Sequence, residues 1–346
     1  MQIQRPSGRT LIMTAVILLL YFGVGEAVTR TDRFQAKFAR PTWGSRHPHF
    51  ERQLDRLNHI VNQVGPVDCL FLGSSMVIND IDPLLFANAY RNESGQDIRC
   101  FNFGVDGLTA LGAAALAEIL VKDYQPRLLV YGTDARDYVV KPQADDAAVI
   151  LDTPWIRYRL GEFSIEGWLY DNSSLLRYRR PLRNLLQLNF TRSFWNQDSP
   201  SEWSKYGFIP EERVSEFVKT PPDPESELVH VQYYYGLLSD YEMLPENLLA
   251  LDEIASLADK NTEVLILEMP VPDTYFTFFG DDGRDYVTFL NNVEAVAGKH
   301  SLMFWNTTAE NLIPETGWAD YSHLNAEGAK IFSEWLGKNR PGSDRG

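Results

Sequence analysis

Two short segments of this chain carry residues that could act together as a nucleophile and its base. In Asp320-Tyr321-Ser322-His323, a carboxylate stands three residues before a histidine and just ahead of a helical pattern. Such a carboxylate can orient an imidazole and stabilise its protonated form. In Gly73-Ser74-Ser75, a serine follows a glycine turn, and an exposed serine paired with a base can act as a nucleophile. The two segments lie far apart along the chain, so the fold must bring them together.

Polar residues also follow two other apolar runs. Asn102-Phe103-Gly104-Val105-Asp106-Gly107 follows one run, and Gly104 could offer a backbone N–H to the site because no Cβ blocks its approach. Gly132-Thr133-Asp134 follows another run, and the Asp134 side chain would face the same edge. Each signal also has a structural interpretation, since these glycines could be ordinary turn residues and His323 could be a buried structural histidine.

The elements that would position these residues alternate between apolar strands and helices. Five apolar runs are predicted to be strands: Cys69–Leu72, Ile98–Phe103, Arg127–Tyr131, Val264–Met269 and Leu302–Trp305. Three of the helical patterns cover residues 50–63, 108–124 and 325–336, with Asn325 as a plausible N-cap. This alternation predicts an α/β fold with a parallel sheet covered on both faces, in which chemistry collects beyond the carboxyl ends of the strands.

A long insertion separates the third and fourth predicted strands, from about residue 138 to 245. It contains the segment Pro221-Pro222-Asp223-Pro224-Glu225, which is predicted to be an exposed loop. It is also rich in aromatic residues: Trp155, Trp168, Tyr170, Trp195, Trp203, Tyr233, Tyr234 and Tyr235. Because the insertion emerges at the functional edge of the sheet, it could form a lid or a substrate platform. A structural subdomain that packs its own aromatic side chains is an equally good interpretation.

The first 30 residues have the composition of a membrane segment. Arg5 and Arg9 precede the uncharged stretch from Thr10 to Gly25, and extension to Val28 adds only Glu26. That length is just enough to cross about 30 Å of hydrocarbon. We expect an uncleaved anchor, although Gly25-Glu26-Ala27 could also be the cleavage site of a secretory signal peptide. Basic residues follow the segment too, so flanking charge does not set its orientation: Arg30, Arg33, Lys37 and Arg40.

The overall composition is that of a globular protein with a substantial core, since 44% of residues are hydrophobic and 12% are aromatic. A formal net charge of −15 argues against a nucleic-acid partner, whose phosphates would repel it. The two cysteines, Cys69 and Cys100, do not form a metal-binding pattern, so we expect neither a metal nor a cofactor. They lie at matching depths of two predicted strands, and we expect neighbouring buried thiols, because a bridge between adjacent parallel strands is strained.

Taken in order, these segments resemble the sequence blocks of the SGNH/GDSL hydrolase superfamily. The Gly-Asp-Ser block of that family is similar to Gly73-Ser74-Ser75, which implies that Ser75 is the nucleophile. Its Asn-x-Gly-x-x-Gly block resembles residues 102–107 and implies that Gly104 and Ser75 donate backbone N–H groups to the oxyanion. Its Asp-x-x-His block resembles Asp320 and His323, which implies that they are the orienting acid and the base. The resemblance covers about residues 65–137 and 260–338 and implies a flavodoxin-like three-layer sandwich with a five-stranded parallel sheet.

The third block departs from the family pattern Gly-x-Asn-Asp. Here Asp134 stands where the family has an asparagine that donates to the oxyanion, and an ionised carboxylate cannot donate. Loss of one such donor costs about 3 kcal/mol of transition-state stabilisation. Asp134 therefore turns away, is replaced by another group, or weakens the site. The first block also differs, because Ser74 stands where the family usually has aspartate.

The layout is similar to that of the D-alanine transfer protein of the teichoic acid pathway and of alginate and peptidoglycan O-acetyltransferases. The resemblance implies a membrane segment at residues 1–30, a connector with a first helix at 31–64, and a catalytic domain at 65–340. It predicts an extracytoplasmic serine esterase or O-acyltransferase that moves an acyl group to an envelope polysaccharide, beside a membrane-bound O-acyltransferase. The alternative is a catalytically silent module that binds polysaccharide or scaffolds an acylation complex, and the substitution at Asp134 and the aromatic insertion support it.

Overall fold

The computed structural model describes residues 7–37, 41–139, 146–179, 182, 206–210, 223, 225, 228–280 and 283–339. The chain divides into two compact units. The smaller unit is Met1–Ser45 with Thr153–Ser199, and the larger unit is Arg46–Asp152 with Pro200–Gly346. Several residues considered above lie outside the described residues: Arg5, Arg40, Trp195, Trp203, Pro221, Pro222 and Pro224.

The larger unit is built on one sheet of five parallel strands in the order β2-β1-β3-β4-β5. The strands are β1 (Cys69–Gly73), β2 (Cys100–Gly104), β3 (Leu128–Thr133), β4 (Glu263–Glu268) and β5 (Met303–Asn306). The predicted α/β class and the five parallel strands are confirmed, with strand ends that differ by one or two residues. The strands β1, β2 and β3 are buried along their whole length, as expected of apolar strands covered on both faces.

Fourteen α-helices lie in the described part of the chain. In chain order they are α1 (Gly8–Thr29), α2 (Asp32–Lys37), α3 (Pro48–Val64), α4 (Ser75–Asp80), α5 (Pro83–Ser94), α6 (Ala110–Tyr124), α7 (Asp146–Leu151), α8 (Pro154–Arg159), α9 (Ile165–Asn172), α10 (Ser174–Arg177), α11 (Val229–Leu238), α12 (Pro245–Ser256), α13 (Arg284–Lys299) and α14 (Ala326–Asn339). Helix α5 packs against α14, and α6 packs against α12. The chain moves from β1 outward to β2 and then back past β1 to β3, so right-handed connections place α5 and α6 on opposite faces of the sheet.

Helix α3 shows how local sequence sets an element of the larger unit. His47 caps its first turn by accepting the Phe50 N–H at 3.2 Å, and Pro48 occupies the first helical position. Phe50, Leu54 and Leu57 repeat at helical spacing and are buried, so one face of the helix enters the core.

The ends of β1 and β2 lie side by side. Gly73 is the register partner of Gly104, and Cys69 is the partner of Cys100. Both cysteines are buried free thiols, as predicted. A Cβ at Gly73 would collide with the carbonyl oxygen of Gly132 in β3. Glycine is therefore required where the three strands reach the edge that carries Ser75.

The smaller unit begins with an apolar helix of membrane-spanning length. Helix α1 has 22 residues and a mean hydropathy of 2.2 in its most apolar window, none of which is buried within the protein. Among the described residues it is the only helix that is both long and apolar enough to cross a membrane. The prediction of an apolar segment of spanning length near the N-terminus is confirmed.

The C-terminal end of α1 is built into the smaller unit by hydrogen bonds. The Glu26 carboxylate accepts from the Ser173 hydroxyl at 2.8 Å and from the backbone N–H groups of Ser174 and Leu175 at 2.8 and 3.0 Å. The Ser174 hydroxyl donates to the carbonyl of Thr29 at 3.1 Å. Residues 153–199 of the predicted insertion therefore belong with α1, whereas the remaining parts of the insertion belong to the larger unit.

Candidate active site

Ser75 stands at the junction between β1 and α4. Ser74 is the N-cap of α4, and its hydroxyl accepts from the Met76 N–H. Ser75 is the first residue of the helix, so its own N–H has no acceptor in a preceding turn. Its side chain is half-buried and lines a cavity. The glycine turn predicted from the sequence thus presents the Ser75 hydroxyl to a space that a ligand could enter.

The structure brings Ser75, His323 and Asp320 together. The His323 Nε2 atom lies 2.8 Å from the Ser75 Oγ atom. The His323 Nδ1 atom lies 3.0 Å from both carboxylate oxygens of Asp320. Asp320 Oδ1 also accepts the backbone N–H groups of Ser322 and His323, each at 2.9 Å. The loop thus folds around its own carboxylate, which fixes the imidazole with Nε2 toward the serine.

The contacts between Asp320 and His323 set the protonation of both groups. Burial of His323 favours its neutral form, but the hydrogen bond and the negative charge of Asp320 outweigh it and raise the His323 pKa to about 9. Burial also opposes ionisation of Asp320. The hydrogen bonds from His323 and the Ser322 N–H outweigh that effect, so the Asp320 pKa lies below its usual range. The resting imidazole is therefore largely protonated at neutral pH.

Gly104 is placed differently from the sequence expectation. Its N–H donates to the Asn102 side-chain oxygen at 2.8 Å, and a Cβ there would overlap the backbone of Ile78. This glycine therefore allows close packing and offers no free donor to the site. Gly107, the second glycine of the segment, lines the cavity with Ser75 and has a φ of 69°. Within the described part of the chain, neither the Ser75 N–H nor the Gly107 N–H has a hydrogen-bond acceptor.

Asp134 faces away from the cavity. It is buried, its Oδ2 atom accepts from the Tyr275 hydroxyl at 3.1 Å, and it is not among the residues that line the cavity. The side chain that does reach the cavity from this segment is Arg136, which pairs with Asp137 at 2.8 Å and donates to the Leu108 carbonyl. Asp134 thus supplies no oxyanion donor, because its carboxylate is directed into the protein.

The cavity around Ser75 has a volume of about 780 Å³. Its walls combine tyrosines with charged groups of both signs, a composition suited to a polar ligand with ring faces. The lining residues are Arg46, Ser75, Asp106, Gly107, Arg136, Ala148, Val149, Asp152, His230, Tyr233, Tyr234, Asp320, Tyr321, Ser322 and His323. Helix α11 supplies three of them, so this part of the predicted insertion contributes directly to the site, as a substrate platform would.

Tyr234 supports the loop that carries Asp320 and His323 in a way that the sequence does not reveal. Its hydroxyl donates to the Ser322 Oγ atom at 2.7 Å, and Ser322 Oγ lies 3.3 Å from the Asp320 carboxylate. Burial, followed by the nearby charge of Asp134, raises the Tyr234 pKa above its usual value, so the phenol stays a donor. The tyrosine-rich composition of the insertion indicated an aromatic surface. It did not indicate which tyrosine reaches the loop.

Asp80 supports the same loop from α4, the helix that begins at Ser75. It is fully buried in α4, and its Oδ1 atom accepts the Leu324 N–H at 2.9 Å. Burial raises the Asp80 pKa well above its usual range, so the neutral acid is favoured. The contact ties the helix that begins at Ser75 to the residue that follows His323. An aspartate five positions after the serine is the only sequence signal for this link.

Substituting Asp80 tests this link. Asp80→Ala leaves the buried Leu324 N–H without an acceptor, so we expect a loss of about 1–3 kcal/mol in unfolding free energy. Asp80→Asn keeps the acceptor and resembles the neutral acid, so its unfolding free energy should stay close to that of the wild type. Thermal unfolding of the three proteins measures the effect. Equal damage in both variants would show that an ionised carboxylate is required instead.

Comparisons with known protein families and with curated proteins do not identify a function for this site. No protein-family model matches the chain, and no curated protein is significantly similar to it. In the portion of the chain that the structure describes, no group of three or more histidine, cysteine or acidic side chains is arranged to hold a metal ion. The arrangement of Ser75, His323 and Asp320 is therefore the main structural indication of function.

Proposed function

We propose that this protein is a membrane-anchored serine acyl-transfer enzyme of the SGNH/GDSL type. The observation that carries the proposal is the 2.8 Å contact between Ser75 Oγ and His323 Nε2, with Asp320 on the opposite side of the imidazole. A nucleophile, a base and an acid that orients the base are the parts that acyl transfer through serine requires.

The chemistry follows from the positions of these atoms. Neutral His323 accepts the Ser75 proton while Oγ attacks the ester carbonyl, and Asp320 stabilises the resulting imidazolium. The negatively charged oxygen of the tetrahedral intermediate accepts hydrogen bonds from the backbone N–H groups of Ser75 and Gly107. His323 then returns the proton to the leaving alkoxide, and the acyl group remains on Ser75. Water or a sugar hydroxyl attacks this acyl-enzyme, with His323 again taking the proton, and Oγ leaves as the serine hydroxyl.

The proposed oxyanion site has two backbone donors, the N–H groups of Ser75 and Gly107, and no side-chain donor from Asp134. Because Asp134 turns into the protein, its carboxylate neither donates to the oxyanion nor faces it. Removing one donor from comparable enzymes costs about 10²–10³ in kcat. We therefore propose a slow enzyme that works on a donor held nearby, in preference to a catalytically silent module.

An envelope polysaccharide is the acceptor that we propose. The cavity carries Tyr233, Tyr234 and Tyr321 beside polar and charged groups, and flat aromatic faces next to hydrogen-bonding groups suit a sugar ring. Its volume lies within the range of sites that bind small molecules. Transfer requires an acylated donor, and a membrane-bound O-acyltransferase is the partner that could supply one.

Helix α1 would retain the protein at the membrane with its larger unit on the extracytoplasmic side. The anchor interpretation is supported by the Glu26 carboxylate, which holds residues 173–175 through three hydrogen bonds. Cleavage at the possible signal-peptide site would remove or expose this carboxylate and leave buried donors unsatisfied, which is costly.

Retention of α1 can be measured directly. We expect the intact mass of the protein extracted from membranes to include residues 8–29, and we expect alkaline carbonate not to release it. A soluble mature form that begins near Ala27 would contradict the anchor and would indicate a signal peptide.

A competition between water and sugar tests the proposed reaction. The full chain in detergent is incubated with an aryl acetate and a neutral oligosaccharide, and acetylated sugar and free acetate are measured by mass spectrometry. We expect acetyl transfer to the sugar that rises with its concentration and is absent from Ser75→Ala. Release of acetate without any transfer would make the protein an esterase. Neither product from a folded wild type would contradict acyl chemistry.

A further inference from the structure

The smaller unit has the opposite charge to the rest of the chain. Its two segments contain 13 lysines and arginines but only 6 aspartates and glutamates. Arg5 and Arg9 precede the apolar span, and without them the unit has a formal net charge of +5. The whole chain carries −15, so the larger unit holds all of the excess negative charge. A basic unit that also contains the apolar helix α1 has the charge that favours contact with an anionic surface.

The same unit exposes large apolar side chains close together in the sequence. Phe163 is 77% exposed, Ile165 is 71% exposed and Trp168 is 44% exposed. Ile165 and Trp168 stand three residues apart in α9, so they share one face of that helix. Single exposed apolar residues are common, whereas neighbouring ones on one helix face suit contact with an apolar environment.

This apolar group lies close to the point at which α1 is fixed. The Arg30 guanidinium, just after α1, donates at 2.8 Å to the carbonyl of Asn172, the last residue of α9. Trp168 precedes Asn172 by one turn, about 6 Å along the helix axis. Glu26 and Arg30 are also the first charged residues after the apolar span, so they mark the level of the membrane surface. Trp168 therefore lies about one helical turn along α9 from the residue that Arg30 contacts.

We propose that the smaller unit forms a second membrane contact, in which Phe163, Ile165 and Trp168 enter the interfacial region of a bilayer that contains anionic phospholipid. This proposal rests on the proposed anchoring of the chain by α1. Tryptophan is favoured at this depth because its ring is apolar and its N–H is polar. Exposed arginines such as Arg33 and Arg179 would lie in the anionic headgroup layer. The contact would give the unit a second attachment beside α1 and so limit its rotation about the α1 axis.

A fluorescent label on α9 tests the contact. Because Cys69 and Cys100 are buried, a single cysteine introduced by Ile165→Cys can be labelled with an environment-sensitive dye. The matched control is Val287→Cys in α13 of the larger unit, where the native side chain is similarly apolar and 54% exposed. The full-length proteins are placed in nanodiscs of phosphatidylcholine with or without phosphatidylglycerol, and lipids with a spin label near the headgroup serve as the quencher.

We expect dye emission at position 165 to shift to shorter wavelength and to be quenched by the spin-labelled lipid, most strongly with phosphatidylglycerol. The dye at position 287 should remain water-like and unquenched. Water-like, unquenched emission from position 165 in protein that co-elutes with nanodiscs would overturn the proposal and point to a protein partner for this surface. Equal quenching at position 165 without phosphatidylglycerol would contradict the proposed preference for anionic lipid. Failure to co-elute would instead contradict the anchor itself.

Discussion

Ser75→Ala is expected to abolish ester turnover by the full-length protein. Removal of the nucleophile from a serine triad lowers kcat by about 10⁶-fold, because the remaining groups cannot form the acyl-enzyme. Release of nitrophenol from an aryl acetate by detergent-solubilised protein measures this effect. In this structure Ser75 Oγ is the hydroxyl that lies within hydrogen-bond distance of His323 Nε2, so no other serine should replace it.

Ser74→Ala is the matched control for this substitution. Ser74 is adjacent and buried, and it serves as the cap of α4. Its replacement should cost about 1 kcal/mol of stability and should leave turnover measurable. Undiminished turnover by Ser75→Ala would contradict the assignment of the nucleophile. Loss of turnover in both variants, with a large fall in thermal stability, would show that the Ser75→Ala result reflects the fold and not the chemistry.

The second large effect is expected from Asp320→Asn. In a serine triad this change lowers kcat by about 10⁴-fold, because the imidazole loses the tautomer and the charge partner that it needs. Here it should also change the pH dependence. The base acts only when neutral and its pKa is about 9, so kcat/KM of the wild type should rise with pH and level off above that value.

The pH shift has a definite direction. Asp320 raises the pKa of His323 through a hydrogen bond and its negative charge, and an amide supplies no charge. The midpoint for Asp320→Asn should therefore lie below that of the wild type, toward the ordinary histidine value of about 6.5. Profiles of kcat/KM against pH for the two proteins measure it, with His323→Ala as the variant that should show no such inflection. An unchanged midpoint would show that Asp320 does not control the base.

The sequence predicted the sheet well because its signal is local. Continuous apolar runs that end at Gly73, Gly104 and Gly132 are sufficient to predict buried parallel strands and the edge at which their polar residues meet. The pairing of Asp320 with His323 was also predictable, because a spacing of three residues within a turn brings the two side chains together. These inferences need only spacing and side-chain type, which the sequence gives directly.

The oxyanion donors were less predictable because they depend on side-chain orientation. Gly104 and Gly107 are equivalent as residue types, but the Asn102 side chain occupies the N–H of the first. Asp134 similarly appeared able to face the site, whereas its actual partner, Tyr275, lies 141 positions further along the chain. Contacts between residues so far apart in the chain cannot be predicted from a local sequence pattern.

The amino-acid composition of the long insertion does not predict where its segments pack. Its aromatic content predicted neither that residues 153–199 join α1 nor that α11 lines the cavity. One sequence feature does distinguish this segment, namely the excess of arginine over acidic residues between residues 153 and 199. Glu26 is a second example: it interrupts the apolar segment in the sequence, yet in the structure it accepts three hydrogen bonds from residues 173–175.

The proposed acyl-transfer activity requires an activated serine, which a fluorophosphonate probe can detect covalently. The detergent-solubilised wild type is treated with the probe, digested and analysed by mass spectrometry beside Ser75→Ala and His323→Ala. We expect one adduct on the wild type, on the peptide that contains Ser75, and none on either variant. An unlabelled wild type with a cooperative thermal transition would contradict the account and favour a silent polysaccharide-binding module. An adduct on a different serine would contradict the site itself.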